Sequence, residues 1–135
     1  MKPWLPLTAS LLALGGCASE PENVLERETA YQVEWIGERP LVERSHLTLN
    51  LGEDGRAYGN AGCNHWFAPY TLENDSLRFG QTGSTRKLCS PAVMEQEQRF
   101  LDALGQIQRW DVSPLGQLRL WPAHGKPIRL LPEQG

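Results

Sequence analysis

Apolar and polar side chains alternate in short segments along most of the chain, and this pattern constrains the fold more than any other feature. The alternation is clear in residues 31–35, 47–51 and 128–130. Turn formers such as the Gly-Glu-Arg-Pro stretch at 37–40 separate these segments, because they suit the reversal between two strands. A period of two buries one face of a strand and leaves the other in solvent, as in antiparallel sheets. The sequence therefore predicts an antiparallel sheet as the main element.

One segment breaks the alternation and predicts a helix at about 91–104. Ser90 and Pro91 suit the N-cap and the first helical position, because Ser accepts a free backbone N–H and Pro has none to leave unpaired. Gly105 suits the stop. Apolar residues follow at helical spacing, namely Val93, Phe100, Leu101 and Leu104. We therefore expect an α+β fold: a curved antiparallel sheet, or a partly closed barrel, with this helix packed against it.

The size and composition of the chain fit one domain with a sizeable core. The chain has 135 residues, of which 40% are hydrophobic and five are Trp, so collagen-like, coiled-coil and wholly disordered chains are excluded. Large aromatic side chains build either a core or a binding face. Inward positions on the strands and the helix predict the following core residues: Trp35, Leu49, Phe79, Phe100, Leu104 and Leu120.

The first sixteen residues have the features of a cleaved export signal. A positive start precedes an apolar run of about ten residues, which suits the core of a signal peptide and is too short to span a bilayer. The run ends in Leu-Gly-Gly-Cys at 14–17, which resembles the lipobox of bacterial lipoproteins. The resemblance implies a signal peptide at 1–16, cleavage before Cys17 and lipidation of the Cys17 sulfur. Several acyl chains would then anchor the protein to a membrane.

The residues after Cys17 predict a tether and a location in the bacterial cell envelope. Residues 18–29 hold four Glu, one Pro and only two large apolar residues, a composition typical of a flexible segment. We therefore predict the lipidated Cys and a tether at 17–29, and a folded domain at 30–135. Ala18 stands where an Asp often retains lipoproteins in the inner membrane. This difference favours the outer membrane, with the domain facing the periplasm.

Two blocks around the remaining cysteines carry a family resemblance. The first is GNAGCNHWFAPY at 59–70, and the second is STRKLC at 84–89, which leads into the predicted helix with its Glu residues. Together they resemble the META domain of HslJ-like envelope proteins. The resemblance implies an envelope setting with links to stress responses, antibiotic tolerance and virulence. It implies no settled biochemical activity, so no catalytic residue is carried over.

Cys63 and Cys89 remain as a pair once Cys17 is assigned to lipid. A disulfide is favoured, because an exported domain meets an oxidising compartment in which paired cysteines persist. Three alternatives stay open: a zinc site that includes His65, a thiolate nucleophile with His65 or His124 as its base, and two reduced, buried thiols. The Cys-x-His spacing is unusual for zinc, so we predict no metal.

Polar and basic residues in the two blocks are the candidate binding residues. If a disulfide draws the blocks together, Asn64, Arg86 and Lys87 would form a subsite for an anion or a peptide. Asn64 also suits a turn-capping role. Arg86 and Lys87 also suit solvent-exposed positions that simply precede the helix. His65 and Trp66 complete the candidate set, and the aromatic residues in this block also suit core packing.

The predicted function is that of an envelope lipoprotein whose META-like domain is a non-enzymatic module, either stress-related or structural/binding. The net charge is −3, whereas a nucleic-acid-binding domain usually has a basic surplus, so nucleic acid is not an expected partner. The sequence has no Gly-rich phosphate loop, nucleophile elbow or paired-carboxylate signature, so we predict no catalytic residue and no cofactor. The expected partners are the membrane, through Cys17, and an unknown envelope protein or small ligand. The alternative is a periplasmic inhibitor or ligand-binding lipoprotein that uses an aromatic-lined face.

Overall fold

A computed structural model describes residue 3 and residues 25–133 of the chain. These described residues form ten strands and one helix. The helix, α1 (Pro91–Leu104), lies between the seventh and eighth strands. The strands are β1 (Tyr31–Ile36), β2 (Arg39–Pro40), β3 (Thr48–Leu51), β4 (Arg56–Asn60), β5 (His65–Glu73), β6 (Ser76–Phe79), β7 (Gly83–Ser84), β8 (Ile107–Val112), β9 (Leu118–Pro122) and β10 (Ile128–Pro132).

Eight of the strands close into an antiparallel barrel. Neighbouring strands follow the order β1-β3-β4-β5-β6-β8-β9-β10, and β10 pairs with β1 to complete the ring. The two-residue strands β2 and β7 pair with β1 and β5 respectively. The predicted antiparallel sheet with one helix is confirmed, and the sheet is closed rather than merely curved or partly closed. Closure removes the exposed edges that an open sheet would present.

Side chains fill the interior of the barrel. Five of the predicted core residues are buried: Leu49, Phe79, Phe100, Leu104 and Leu120. The rings of Phe79 and Phe100 each pack edge-on against the ring of Trp66, with centroids 6.3 Å and 5.7 Å from it. This edge-on geometry is favoured for aromatic pairs. The inside of the barrel therefore serves packing, as is usual for small barrels of eight strands.

The prediction that Trp35 is a core residue is wrong. A β-bulge between Val33 and Trp35 breaks the alternation of β1, so Val33 and Ile36 are both buried while Trp35 is half-buried on the outer face. The guanidinium carbon of Arg129 lies 5.9 Å from the centroid of the Trp35 ring, within the range of a cation-π interaction. A bulge adds one residue to a strand and moves the following side chains to the other face, which a strict period of two does not reveal.

Helix α1 has the predicted bounds, but its ends differ from the predicted caps. The Ser90 carbonyl accepts a hydrogen bond from the Met94 N–H at 3.0 Å, while the Ser90 side chain makes no capping hydrogen bond. Gly105 ends the helix with a right-handed φ of −66°, not the left-handed conformation of a glycine stop. Packing of Phe100 and Leu104 therefore holds this helix more than its caps do. No helix in the described part of the chain is long and apolar enough to cross a bilayer.

The folded body begins inside the predicted tether. Leu25 is buried in the core, and the backbone N–H of Glu28 donates to the Leu51 carbonyl at 2.9 Å. Residues 25–29 are therefore part of the domain rather than a flexible segment. The predicted signal peptide, Cys17 and the remainder of the predicted tether lie outside the described residues.

A charged pair on the outer face joins β8 to β9. Arg119 donates from Nε and Nη2 to the two carboxylate oxygens of Asp111 at 2.7 Å and 2.8 Å, and Trp121 Nε1 donates to the same carboxylate at 2.9 Å. Burial is the largest single effect on Asp111 and favours its neutral form. The hydrogen bonds from Arg119 and Trp121, with the charges of Arg119 and Arg109, outweigh burial and hold the pKa of Asp111 below its ordinary value.

Replacement of this carboxylate, Asp111→Asn, is expected to lower the free energy of unfolding by about 1 kcal/mol at neutral pH, as for a well-formed but partly exposed ion pair. A carboxyl whose pKa is lowered by folding contributes stability above its unfolded pKa of about 3.9 and loses it as the pH falls through the folded pKa. The variant and the parent should therefore converge in acid. Urea unfolding of both proteins at neutral and at acidic pH measures the difference in their free energies of unfolding. A difference of the same size at the two pH values would contradict this prediction.

Candidate functional site

The fold brings together the two sequence blocks that surround the cysteines. Cys63, in the turn between β4 and β5, is bonded to Cys89, which lies just before α1, and their Cα atoms are 6.0 Å apart. The predicted disulfide is confirmed. Both sulfurs are used in the bond, so neither is a thiolate that could bind zinc or act as a nucleophile. Within the described residues, no group of three or more His, Cys, Asp or Glu side chains is placed to hold a metal ion.

The Asn64 side chain connects the first block to the second. Its Oδ1 accepts hydrogen bonds from the Lys87 N–H at 2.6 Å and from the Thr85 hydroxyl at 3.0 Å. Its Nδ2 donates to the Lys87 carbonyl at 3.2 Å, and Asn64 is only 2% exposed. This corrects the predicted ligand subsite: the Asn64 amide is buried and its hydrogen bonds go to Lys87, Thr85 and Glu97, so it is not free to contact an anion or a peptide.

Glu97 of α1 connects the helix to the first block by hydrogen bonds. Its Oε1 accepts the backbone N–H of Asn64 at 2.7 Å and that of Cys63 at 3.3 Å. Its Oε2 accepts from Asn64 Nδ2 at 2.7 Å, and Glu97 is only 5% exposed. A buried carboxylate is tolerated when several donors satisfy it, and three donors do so here. Helix, turn and second block therefore form one hydrogen-bonded unit.

Sequence analysis missed the role of Glu97, because it noted only that the predicted helix contains Glu residues. The available signal is its spacing: Glu97 precedes Phe100 by three positions and Leu104 by seven. Residues at that spacing share one face of a helix. A charged residue on an apolar face is seldom buried without a partner, so the pattern pointed to a buried acceptor whose partners the sequence does not identify.

The turn that carries Cys63 depends on Gly62. Gly62 has a φ of +113°, a conformation that side chains with a Cβ rarely adopt. The turn is closed by a hydrogen bond from the Ala61 N–H to the Asn64 carbonyl at 2.7 Å. This reversal directs the N–H groups of both Cys63 and Asn64 toward Glu97.

The side chains of His65 and Trp66 lie on opposite faces of β5. The His65 side chain is exposed, and its backbone N–H donates to the Thr85 hydroxyl at 3.1 Å. Trp66 is 1% exposed, and its indole N–H donates to the Thr48 carbonyl at 2.9 Å. Of the two interpretations of Trp66, core packing is therefore confirmed and a place on a binding surface is wrong, because alternation along β5 turns Trp66 into the core and leaves Phe67 outside.

Residues 85–89 form an exposed segment without regular secondary structure, called the presented loop below. Arg86, Lys87 and Leu88 are exposed, and Leu88 is exposed by 91%. The backbone of the loop is nevertheless fixed at three places. The Thr85 N–H donates to the His65 carbonyl at 3.0 Å, Asn64 holds Lys87, and the disulfide holds Cys89. The loop therefore offers two cations and one apolar side chain from a fixed backbone.

The arrangement of two cysteine-bearing blocks on a closed barrel can be compared with known families. The sequence profile of the META domain matches residues 23–135. The chain belongs to the META domain family. The match includes both blocks, α1 and every strand of the barrel. No curated protein matches the chain.

Two solved structures share the fold of this META domain. An NMR structure of a protein from Burkholderia xenovorans has 26% identical residues and a TM-score of 0.67, and the alignment covers 81% of this chain and 84% of that chain. A second NMR structure has 19% identical residues and a TM-score of 0.60, with coverage of 78% of this chain and 89% of that chain. The second likeness supports the fold alone. Both extend over most of the META domain, not over one hairpin or sheet.

Reduction of the disulfide is expected to destabilise the META domain by about 3–3.5 kcal/mol, the chain-entropy value for a closed loop of this length. The two cysteines are 26 residues apart. Cys63→Ser and Cys89→Ser should each lower the melting temperature by similar amounts, and the double variant should lower it little further. Thermal unfolding with and without a thiol reductant measures this. A melting temperature that does not respond to the reductant, or fully additive single replacements, would rule out a stabilising bond.

Proposed function

We propose that this protein is a lipid-anchored META-domain protein of the bacterial cell envelope that recognises another envelope protein through the presented loop, without catalysing a reaction. One observation carries the proposal: the loop is the most exposed part of the two motif blocks, yet its backbone is fixed by the disulfide and by Asn64. Buried polar groups of this kind are costly to arrange. Their joint effect is to hold one exposed segment in one conformation.

The side chains of the presented loop suit recognition of an acidic protein surface. Arg is enriched at the energetic centres of protein interfaces, because its planar guanidinium forms paired hydrogen bonds and also packs. Arg86 and Lys87 supply the charges, and Leu88, with 91% of its surface in solvent, supplies an apolar contact. A segment that is already ordered loses little conformational entropy on binding. The expected partner therefore has an acidic surface with a small apolar recess.

The way in which the polar groups near the loop are used also supports a binding role over catalysis. General acid–base or nucleophilic catalysis needs a group within reach of the substrate that is free to exchange a proton or attack. Here the two sulfurs are bonded to each other, and Asn64 and Glu97 are buried with their oxygens already accepting hydrogen bonds. These observations support a non-enzymatic function.

A second candidate function has one observation in its favour. Tyr58 of β4 and Phe67 of β5 are cross-strand partners on the outer face of the barrel, and they are exposed by 44% and 49%. Exposed aromatic neighbours of this kind favour a ligand-binding or inhibitory face. Such a face would lie on the outside of the barrel, because side chains fill the interior.

Site-specific photo-crosslinking in cells tests the proposed function. The full-length, lipid-anchored protein carries a photo-crosslinking phenylalanine analogue in place of Leu88. The matched control carries it in place of Leu115, which is 96% exposed and lies outside the presented loop. We expect a discrete adduct with one envelope protein from position 88 and none from position 115. A third chain with the analogue at Phe67 tests the aromatic face.

Two results of this experiment would contradict recognition through the presented loop. One is the absence of any adduct from position 88 in cells where the protein is correctly processed. The other is the same set of adducts from positions 88 and 115, which would reflect random collision. A discrete adduct from position 67 alone would favour the aromatic face instead.

The membrane anchor is a proposal that rests on the sequence of the first seventeen residues. The Cys17→Ala variant is expected to lose all incorporation of a palmitate analogue and to retain its signal peptide, because the thiol is the acceptor of the lipid. Metabolic labelling followed by fractionation of inner and outer membranes measures both the anchor and the predicted outer-membrane location. Equal labelling of the parent and the variant would rule out lipidation at this position.

A further inference from the structure

Arg129 of β10 is a half-buried cation whose one close partner in the described part of the chain is the Trp35 ring. Its Nε atom is inaccessible to solvent and has no hydrogen-bond acceptor among residues 25–133. No carboxylate within residues 25–133 forms an ion pair with it. Half-buried charged groups are normally paired or hydrogen-bonded, so an unpartnered one requires an explanation.

The position of Arg129 in the barrel places its unpaired charge beside another Arg. Asp111, Arg119, Arg129 and Trp35 are register partners on four successive strands, β8, β9, β10 and β1. Asp111 neutralises Arg119 through two hydrogen bonds. Arg129 lies directly opposite Arg119, and like charges at such positions destabilise a sheet. The sheet therefore carries an unneutralised guanidinium beside a neutralised one.

A cleft on the outer surface contains this guanidinium. The cleft has a volume of about 250 Å³ and is lined by Trp35, Gly37, Glu38, Lys126 and Arg129. The bulge in β1 turns Trp35 outward to form its aromatic wall, and the guanidinium of Arg129 lies 5.9 Å from the ring centroid. Lys126 adds a second cation at the rim. Glu38 is the one acidic side chain among the lining residues and opposes the binding of an anion.

We propose that this cleft is a binding site for a phosphate-type oxyanion, with Arg129 and Lys126 as its cationic contacts and Trp35 as its apolar wall. A guanidinium presents paired N–H donors that match the oxygens of a phosphate, and an ammonium adds a point charge. Two cations suit the charge of a phosphate better than that of a single carboxylate. The phosphate belongs either to a small soluble molecule or to a lipid headgroup, which share this chemistry.

The cleft and the presented loop have no residue in common. The inference therefore stands apart from the proposed function, and a negative result for one leaves the other intact.

NMR titration of the full-length, ¹⁵N-labelled chain tests the site. The Nε–Hε signal of Arg129 is the reporter, and that of Arg119, already paired with Asp111, is the internal reference. The probes are inorganic phosphate, short-chain phosphatidylglycerol below its micelle concentration, acetate and sodium chloride at matched ionic strength. We expect a saturable shift of the Arg129 signal with one or both phosphate compounds. Which of the two binds identifies the source of the phosphate.

Variants distinguish a specific phosphate site from a nonspecific effect of salt on the signals. Arg129→Gln is expected to weaken phosphate binding about tenfold or more, the effect of losing charge-assisted hydrogen bonds, and amide signals of Trp35 and Gly37 then serve as reporters. Glu38→Gln should tighten binding several-fold, because it removes the opposing charge, and it keeps the test decisive if Arg129→Gln unfolds the chain. The matched control is Arg78→Gln, an exposed Arg on β6, which should leave the affinity unchanged.

Three outcomes would overturn the proposal. The first is a shift that does not saturate and is reproduced by sodium chloride. The second is unchanged affinity in a folded Arg129→Gln variant together with no gain in Glu38→Gln. The third is a saturable shift with acetate and none with either phosphate compound.

Discussion

Removal of the buried carboxylate in Glu97→Ala is expected to lower the free energy of unfolding by about 3–5 kcal/mol. Glu97 accepts three hydrogen bonds, two from backbone N–H groups of Cys63 and Asn64 and one from the Asn64 side chain. The replacement leaves these donors without an acceptor in a region shielded from water, and each such group costs about 1–3 kcal/mol. A loss of this size is a large share of the stability of a typical domain, about 5–15 kcal/mol.

Glu95→Ala is the matched control for this prediction, because it removes the same side chain two positions away on the same helix. Glu95 is exposed and faces Arg39 across 3.6 Å with both side chains largely in solvent. Exposed pairs of this kind contribute about 0–1 kcal/mol. Urea unfolding of both variants measures the difference. Equal, small losses for Glu95→Ala and Glu97→Ala would contradict the assignment of Glu97 as the acceptor that organises the turn.

Truncation of the helix anchor in Phe100→Ala is expected to cost about 3–5 kcal/mol, the usual range for a buried Phe. Phe100 has no solvent exposure, and its ring packs edge-on against Trp66 at 5.7 Å. The replacement should weaken the packing of α1 against the barrel, since Phe100 is one of the two fully buried apolar residues of that helix. Thermal and urea unfolding measure it.

The chain also offers a matched control for this replacement. Phe67→Ala removes the same side chain from an outward position on β5, where it is 49% exposed and faces Tyr58 across the strand pair. Cross-strand aromatic pairs contribute about 0.2–1 kcal/mol. A Phe100→Ala variant that unfolds at the same urea concentration as Phe67→Ala would show that the face of α1 is misassigned.

The elements of this fold could be predicted from local patterns, because burial acts residue by residue along each strand and helix. The bounds of α1 follow from Ser90, Pro91 and the spacing of apolar residues. The disulfide is the state favoured for two remaining cysteines in a chain with a predicted export signal. Burial of Leu49, Leu120 and Phe100 follows from the period of each element.

Features that depend on contacts between distant segments could not be predicted. Pairing of β1 with β10 joins residues about a hundred positions apart, and a local pattern cannot distinguish a closed ring from an open, curved sheet. The bulge at Trp35 changes the face of a side chain without changing composition. The hydrogen-bond partners of Asn64 and Glu97 could not be predicted for the same reason, since they lie 21 to 34 positions away.

The disulfide, Asn64 and Glu97 together hold the presented loop in one conformation, and hydrogen exchange of the Lys87 amide measures how firmly the loop is held. This N–H donates to Asn64 Oδ1 at 2.6 Å, although the Lys87 side chain is in solvent. We expect the Lys87 amide to exchange far more slowly than those of its neighbours Arg86 and Leu88, and we expect Asn64→Ala to abolish the difference in a chain that remains folded. Exchange of the Lys87 amide at the same rate as its two neighbours in the unmodified protein would contradict this expectation.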